Sequence, residues 1–327
     1  MSAESFEWVL DMDPLDKALL WELFGNARIS YQDLATKYQQ SFNTIKNRIK
    51  KLENAGAIQE YTVELSRAML DLESIKVVIT TDGSEDINAL LDQIGNHRQI
   101  RFFYRAGPNR YEGLAYLAGA TEFFEFKQSL ESLKAVLKVE IHPIAEFVPD
   151  APPDSKARSA GSKITFSKNQ LRVLRCLIGD VRMAIGEIAK QTGITPRRVS
   201  KILSELQASG GVHFTIRMNF HALGDIELEY VIQYDDEKTT PKEVIDWVYQ
   251  QYKREFWHAL HYLDEPTVII NLITEDTTRI KEITKRMREI PFVKTITDYL
   301  IPQLHRGGHY RDPTEHHLEE MIKEAEL

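Results

Sequence analysis

Three features of the sequence predict an α+β chain built twice from one plan. A proline-rich break falls near its middle, apolar spacing recurs when the chain is laid on itself at an offset of 154 residues, and each half changes partway from helical to strand patterning. The break runs Pro149-Asp-Ala-Pro-Pro-Asp-Ser-Lys-Ala-Arg-Ser-Ala-Gly-Ser162, with almost no apolar bulk, which is a linker composition. The offset carries Leu20, Leu23, Gly25, Arg28, Ala35, Leu52 and Gly56 onto identical residues at 174, 177, 179, 182, 189, 206 and 210. Leu34, Ile45, Ile49 and Ile58 meet Ile188, Val199, Leu203 and Val212 in the same alignment.

The elements follow in order. Leu15, Leu19, Leu20, Leu23 and Phe24 recur at helical spacing until Gly25-Asn26 breaks the run. Ser30 starts a second helix and Ser41 a third, which carries Ile45, Ile49 and Leu52 on one face and stops at Gly56. In the second half Thr195-Pro196 is the corresponding start and Gly210-Gly211 the stop. Segments 57–63 and 212–216 then read as a wing hairpin or a strand leading out of the domain. The pattern is a winged helix–turn–helix, twice. Each is followed by strand, helix, strand, strand, helix, strand: 75–79, 87–94, 100–104, 111–117, 122–136 and 139–144, then 228–233, 242–252, 257–262, 267–272, 278–288 and 293–300. That order is the ferredoxin-like (βαββαβ) plan. Ile269 and Ile270 fall on opposite faces of one strand, so both its faces are expected to be covered by sheet pairing, within the chain or between chains. The expected boundaries are 1–64 and 164–218 for the helical domains, 65–148 and 219–304 for the ferredoxin-like domains, 149–163 for the linker and 305–327 for a polar tail.

Composition narrows the function classes. With 43% hydrophobic and 28% charged residues the chain is neither disordered nor a membrane protein, and no apolar run approaches the ~18 residues of a membrane span. Cys176 is the single cysteine, which excludes internal disulfides and cysteine-based zinc clusters and fits a reducing compartment. The opening segment lacks the basic and apolar regions of a signal peptide, so a cytoplasmic location is expected. The net charge is -8, yet residues 42–55 hold four bases, Lys46, Arg48, Lys50 and Lys51, against Glu53 alone. Together with Asn43, Thr44 and Asn47 they crowd the free side of the third helix, where Asn and Arg can read base edges and Lys and Thr can hold phosphates. Arg28, before the second helix, is an additional candidate phosphate clamp. Arg197, Arg198 and Lys201 stand in comparable places in the second copy. These positions predict double-stranded DNA as the partner.

The chain resembles a fused tandem of regulators of the leucine-responsive/asparagine-biosynthesis (Lrp/AsnC) family. The resemblance is carried by Leu15-Asp16, Asn26-Ala27-Arg28, and Ile45 with Arg48-Ile49-Lys50-Lys51-Leu52-Glu53 and Gly56-Ala57-Ile58. It implies a sequence-specific transcriptional regulator, sheet pairing of the ferredoxin-like domains, and a small-molecule effector, and an edge or face left over from that pairing makes a homodimer of the chain the expected assembly. The family's glycine-x-x-aspartate between the middle strands corresponds here to Gly107-Pro-Asn109-Arg110, which makes Gly107, Asn109 and Arg110 the effector candidates, with arginine in place of the acid. In the second copy 263–267 lacks the glycine as well. Siroheme decarboxylases resemble these regulators in fold, and that resemblance supplies an enzyme alternative with His97, Arg101, Arg105, Arg110, His258 and His261 as tetrapyrrole-binding candidates. A protein-interaction scaffold is the third reading. No cofactor, metal site or catalytic residue is assigned: His305, His309, His316 and His317 match no closed zinc motif, and Cys176 reads as a small core residue.

Overall fold

Short polar side chains start the helices where the sequence places them. In the computed structural model, which describes residues 13–147, 162–218, 226–253, 255–274, 277–290, 292–301 and 313–325, Asp13 accepts from the amides of Leu15 and Asp16 at the start of α1 (Pro14–Gly25). Ser30 caps α2 (Tyr31–Lys37), and Ser41 caps α3 (Phe42–Asn54) by accepting from the Thr44 amide at 3.0 Å. The turn between α2 and α3 passes through Gln39 at φ +53°; the second copy places Gly193 there at φ +68°. Glycine takes that left-handed conformation freely, whereas glutamine pays roughly 1–2 kcal/mol for it. In the second copy α7 (Lys168–Leu177), α8 (Ile185–Thr192) and α9 (Pro196–Ala208) repeat the arrangement, with Ser167 and Gln170 in a reciprocal cap and Thr195 before Pro196.

The wings differ from a pair of hairpins. Strand β1 (Ile58–Leu65) of the first copy pairs antiparallel with β6 (Val212–Met218) of the second, so each copy contributes one strand to a shared two-stranded ribbon. Val63, Leu65, Phe214 and Ile216 on these strands are buried in one apolar core with the helices of both copies. Tyr61 faces Ile216 and Thr62 faces Thr215. At the offset of 154 these are each other's counterparts exchanged, so a local twofold axis passes through the ribbon between them. A short helix, α4 (Arg67–Leu70), follows β1.

The end of the chain also departs from its expected polar character. Residues 305–312 lie outside the described residues, but α12 (Pro313–Glu324) presents Leu318, Met321 and Ile322 at i, i+3, i+4 spacing, and Leu318 is fully buried in the core of the helical unit.

The second compact unit contains the remaining elements. Its first copy comprises β2 (Glu73–Thr81), α5 (Ile87–Gly95), β3 (Ile100–Gly107), β4 (Arg110–Leu117), α6 (Gly119–Glu131) and β5 (Val136–Phe147). Helix α6 starts three residues before the expected 122 because Glu122 accepts from the Ala118 amide at 2.6 Å and completes the first turn. The second copy comprises β7 (Ile226–Tyr234), α10 (Pro241–Gln251), β8 (Phe256–Tyr262), β9 (Thr267–Thr274), α11 (Thr277–Met287) and β10 (Val293–Ile301). Both have the antiparallel order of a ferredoxin-like sheet, and β5 pairs with β8 to give one eight-stranded sheet, β10-β7-β9-β8-β5-β2-β4-β3. Alternation on β2 sends Ile75, Val77 and Ile79 toward α5 and α6 and Lys76 and Val78 to the other face. Gly113 of β4 is required where it stands, since a Cβ there would lie 2.4 Å from the Phe102 carbonyl oxygen. On the helix-free face Leu114, Ile144, Leu260, Tyr262 and Ile269 form an inner cluster. The terminal strands β3 and β10 come together through Tyr104, Ala106 and Ile301. Every residue of β9 is buried, as the Ile269–Ile270 pair requires.

Candidate nucleic-acid interface

Helix α3 has three sides. Ile45, Ile49 and Leu52 are buried. Asn43, Lys46, Asn47 and Lys50 follow at i, i+3, i+4, i+7 and form one continuous stripe; Asn43, Asn47 and Lys50 are exposed and Lys46 is half-buried. Among the described residues none of these four side chains has a hydrogen-bond or ion-pair partner. Glu53, the single acid of the segment, accepts from Tyr61 Oη at 2.5 Å and leaves that stripe uniformly basic and amide-bearing.

The third side carries residues assigned to DNA from the sequence that the fold uses otherwise. Arg48 donates to Asp13 Oδ2 at 2.5 Å and to Asp16 Oδ1 at 2.8 Å, which ties α3 to the start of α1. Lys51 lies 4.0 Å from Asp16, and the Thr44 hydroxyl bonds to Ser41. Asp16 is 1% exposed, so Arg48 serves a buried carboxylate. Bonds to Asp16, then burial acting against them, then Asp13, leave the Arg48 guanidinium more firmly protonated than usual. At the offset of 154 Arg48 becomes Ile202, which is fully buried in the helical core, so the second copy fills this position with an apolar side chain.

Arg28 is likewise committed elsewhere. Its guanidinium donates to the carbonyls of Val181 and Met183 in the second copy, the latter at 3.1 Å. Its counterpart Arg182 donates back to the Ile29 carbonyl at 3.3 Å and lies over the rings of Tyr31 and Tyr61, 4.7 and 5.3 Å from their centroids. The two arginines clamp the helical domains to each other across the twofold instead of reaching outward. Burial and then repulsion by Arg182 lower the proton affinity of Arg28.

On α9 the stripe equivalent to 43, 46, 47 and 50 is Arg197, Ser200, Lys201 and Ser204, all exposed. Arg198 and Lys201 lie 3.3 and 3.8 Å from Glu205, whereas Arg197 has no partner among the described residues. Both arrays therefore exist with two bases each, and in the second one of the two is paired with an acid.

The effector candidates occupy the β3–β4 turn of the other unit. The Asn109 carbonyl accepts from the Thr81 amide at 3.0 Å, and Gly107 closes the β3–β4 ladder opposite Arg110. Arg110 is not free for a ligand: its Nε donates to Glu112 at 2.6 Å and its guanidinium lies 5.1 Å from the Tyr299 ring centroid. It borders a buried ionic cluster that the sequence reading missed. Lys76 Nζ lies 2.6 Å from Glu112 and 3.0 Å from Glu229 and also bonds to Tyr104 Oη at 3.0 Å. Burial opposes ionisation of Glu112, but Lys76, the bond to Glu229 and Arg110 hold its carboxyl well below the usual range. Burial and then the Glu112 charge push the Glu229 carboxyl upward, against the pull of Lys76. A lysine inside an otherwise apolar strand, with a glutamate at the same place in the other copy's first strand, is the signal that could have revealed the cluster.

Glu227 lies on the same face and accepts from Asn271 at 2.9 Å; burial pushes its carboxyl up to about 7, against the opposing effects of Asn271 and Lys76. A raised folded-state value stabilises the protein fully below the ordinary 4.5, and that contribution is lost as pH rises to about 7. Glu227→Gln should therefore match wild type in thermal midpoint near pH 4.5 and exceed it increasingly up to pH 7, by about 1.4 kcal/mol per pH unit before relaxation. Parallel melting curves at all pH values would refute this.

The tetrapyrrole candidates have different neighbours: His97 packs edge-on against Phe126, Arg101 bonds to Tyr116, Arg105 donates to the Pro108 carbonyl at 2.6 Å, and His261 faces Ala145 across the β5–β8 seam. His258, on the same strand as His261, faces Asn271 of β9. His316 and His317 each pair with Glu320. Cys176 is half-buried against the helical core, where burial raises its thiol.

Comparison with known proteins places these observations. The winged helix–turn–helix DNA-binding family profile matches residues 12–59 and 166–210, one match in each copy. A helix–turn–helix transcriptional regulator of Pyrococcus furiosus is 29% identical over 140 residues, covering 42% of this chain and 95% of the relative. The regulator LrpC of Bacillus subtilis is 28% identical over 127 residues, 39% of this chain and 80% of its own. Such relatives are spanned nearly end to end by less than half of this chain, so they correspond to one copy. Over its whole length the fold is similar to that of the siroheme decarboxylase NirDL, with a TM-score of 0.60 and 10% identity, covering 96% of this chain and 100% of that one.

Proposed function

Because this chain is a tandem member of the Lrp/AsnC family of helix–turn–helix regulators, we propose that it is a sequence-specific double-stranded DNA-binding transcriptional regulator acting in the cytoplasm. The observation that carries the reading is the unpartnered stripe Asn43-Lys46-Asn47-Lys50 on a capped, buried-backed helix. In a groove, Asn43 and Asn47 offer the paired donor and acceptor that match adenine, and Lys46 and Lys50 neutralise phosphates. A K46A/K50A variant should bind every DNA sequence more weakly and reduce the slope of log affinity against log salt by about 2. Asn47→Ala should keep that slope and lose discrimination between sequences. Fluorescence anisotropy across a potassium chloride series decides this; a slope unchanged in K46A/K50A would sink the proposal.

The two pairings a homodimer would supply, β1 with β6 and β5 with β8, are both made inside one chain. Association of two whole chains is a separate proposal, and a one-chain mass by light scattering would remove it. An effector at Gly107, Asn109 and Arg110 would have to displace Arg110 from Glu112, which favours an anionic ligand. The fold shared with NirDL keeps a catalytic reading testable: a saturable Soret shift on titration with siroheme would support it, while an unchanged spectrum beside a DNA footprint would exclude it.

A further inference from the structure

The two recognition stripes are held in equivalent places by a twofold axis, yet they agree at none of their four positions. The first reads Asn43, Lys46, Asn47, Lys50 and the second Arg197, Ser200, Lys201, Ser204. From this mismatch, and resting on the DNA-binding reading above, we infer that the chain recognises a non-palindromic site with two chemically different arms: an adenine-containing arm under α3 and a guanine-containing arm under α9.

The argument begins with symmetry. A regulator made of two identical chains presents one helix twice, so its operator repeats one half-site about a dyad. Here the ribbon register, Tyr61 with Ile216 and Thr62 with Thr215, supplies the dyad without the identity. The crossed clamps of Arg28 onto Val181 and Met183, and of Arg182 onto Ile29, hold both helical domains to the same axis. Neither domain is thus displaced from the place a symmetric partner would occupy.

The chemistry of each stripe then differs. An asparagine amide presents both a donor and an acceptor, the complement of adenine N7 and N6; two such residues lie on the stripe of α3. Arginine presents only donors in a fork, the complement of guanine O6 and N7, and Arg197 is exposed and unpaired at the position of Asn43. Phe42 precedes the first stripe, 44% exposed, and its ring can lie against a thymine methyl; its counterpart Pro196 cannot supply an aromatic face. Charge pairing differs too. Each stripe carries two bases, but among the described residues Lys46 and Lys50 are both unpartnered, whereas in the second stripe Lys201 shares Glu205 with Arg198 and only Arg197 is left unpaired. The α3 arm is consequently the tighter holder of phosphate and the α9 arm the weaker one.

Selection from randomised duplex DNA with the full chain tests this, followed by affinity measurements on the enriched site. The expected motif has one arm rich in A·T pairs and another centred on a guanine, with no dyad relating them. Asn47→Ala should flatten only the first arm and Arg197→Ala only the second, each lowering affinity for the full site roughly 5- to 150-fold. All the substituted residues are surface residues, so folding is preserved. The transplant R197N/S200K/K201N/S204K, which gives α9 the stripe of α3, should replace the guanine-centred arm by a second A·T-rich arm related to the first by a dyad, except at the base pair that Phe42 touches. A palindrome selected by the unaltered chain, or a motif that Arg197→Ala leaves intact, would overturn the inference while leaving DNA binding in place. Enrichment of no motif at all would overturn the DNA-binding reading, and this inference with it.

Discussion

Lys76→Met should cost the ferredoxin-like unit about 3–5 kcal/mol, a large part of the roughly 5–15 kcal/mol that holds a domain folded. The ammonium is fully enclosed, 2.6 Å from Glu112 and 3.0 Å from Glu229, and its loss leaves Glu112 with the more exposed Arg110 as its one neighbouring cation among the described residues. Hydrogen exchange read by mass spectrometry should show amides of β2, β4 and β7 losing protection while those of α1–α3 keep theirs. The triple variant K76M/E112L/E229M should recover most of the loss, since apolar groups of similar volume can replace a buried ion cluster at little cost. Unchanged protection in the single variant would show that the three groups do not act together.

Arg48→Ala carries the second large effect, on stability before DNA affinity. It strips the ion-pair partner from Asp16, a buried carboxylate, leaving Lys51 at 4.0 Å as the remaining cation. The expected penalty is about 2–4 kcal/mol in the helical unit, somewhat below that of a fully enclosed pair because Arg48 itself is partly exposed. Installing the second copy's residues, R48I/D16Q, should restore much of it, as Ile202 and Gln170 already occupy those places. A variant that melts like wild type but binds DNA far more weakly would return Arg48 to the phosphate-contacting set.

Much of the fold was legible because it is written locally. The caps at Ser30, Ser41 and Thr195, the helical stripe of Ile45, Ile49 and Leu52, and the strand order of both ferredoxin-like copies each depend on residues a few positions apart. Interactions between copies leave no such trace. Nothing near residue 28 says that its guanidinium will reach the carbonyls of Val181 and Met183, and nothing near residue 60 says that β1 will pair with β6 rather than fold back as a hairpin. Charge density on α3 drew attention to that helix, but only the position of Asp16 separates Arg48 and Lys51 from the stripe of Asn43, Lys46, Asn47 and Lys50. In α12 the density of charge hid the apolar spacing of Leu318, Met321 and Ile322.

The shared ribbon changes how the molecule responds to dilution. A dimer whose helical domains meet through two strands loses that contact as protein becomes scarce, because its stability includes a mass-action term. Here β1 and β6 belong to one polypeptide, so their meeting is first order and the arrangement is the same at a few copies per cell as in a concentrated sample. Substitutions are also felt once rather than twice: a change at Tyr61 leaves its counterpart Thr215 untouched. One arm of the molecule can therefore vary while the other stays intact, a freedom that two identical chains do not possess.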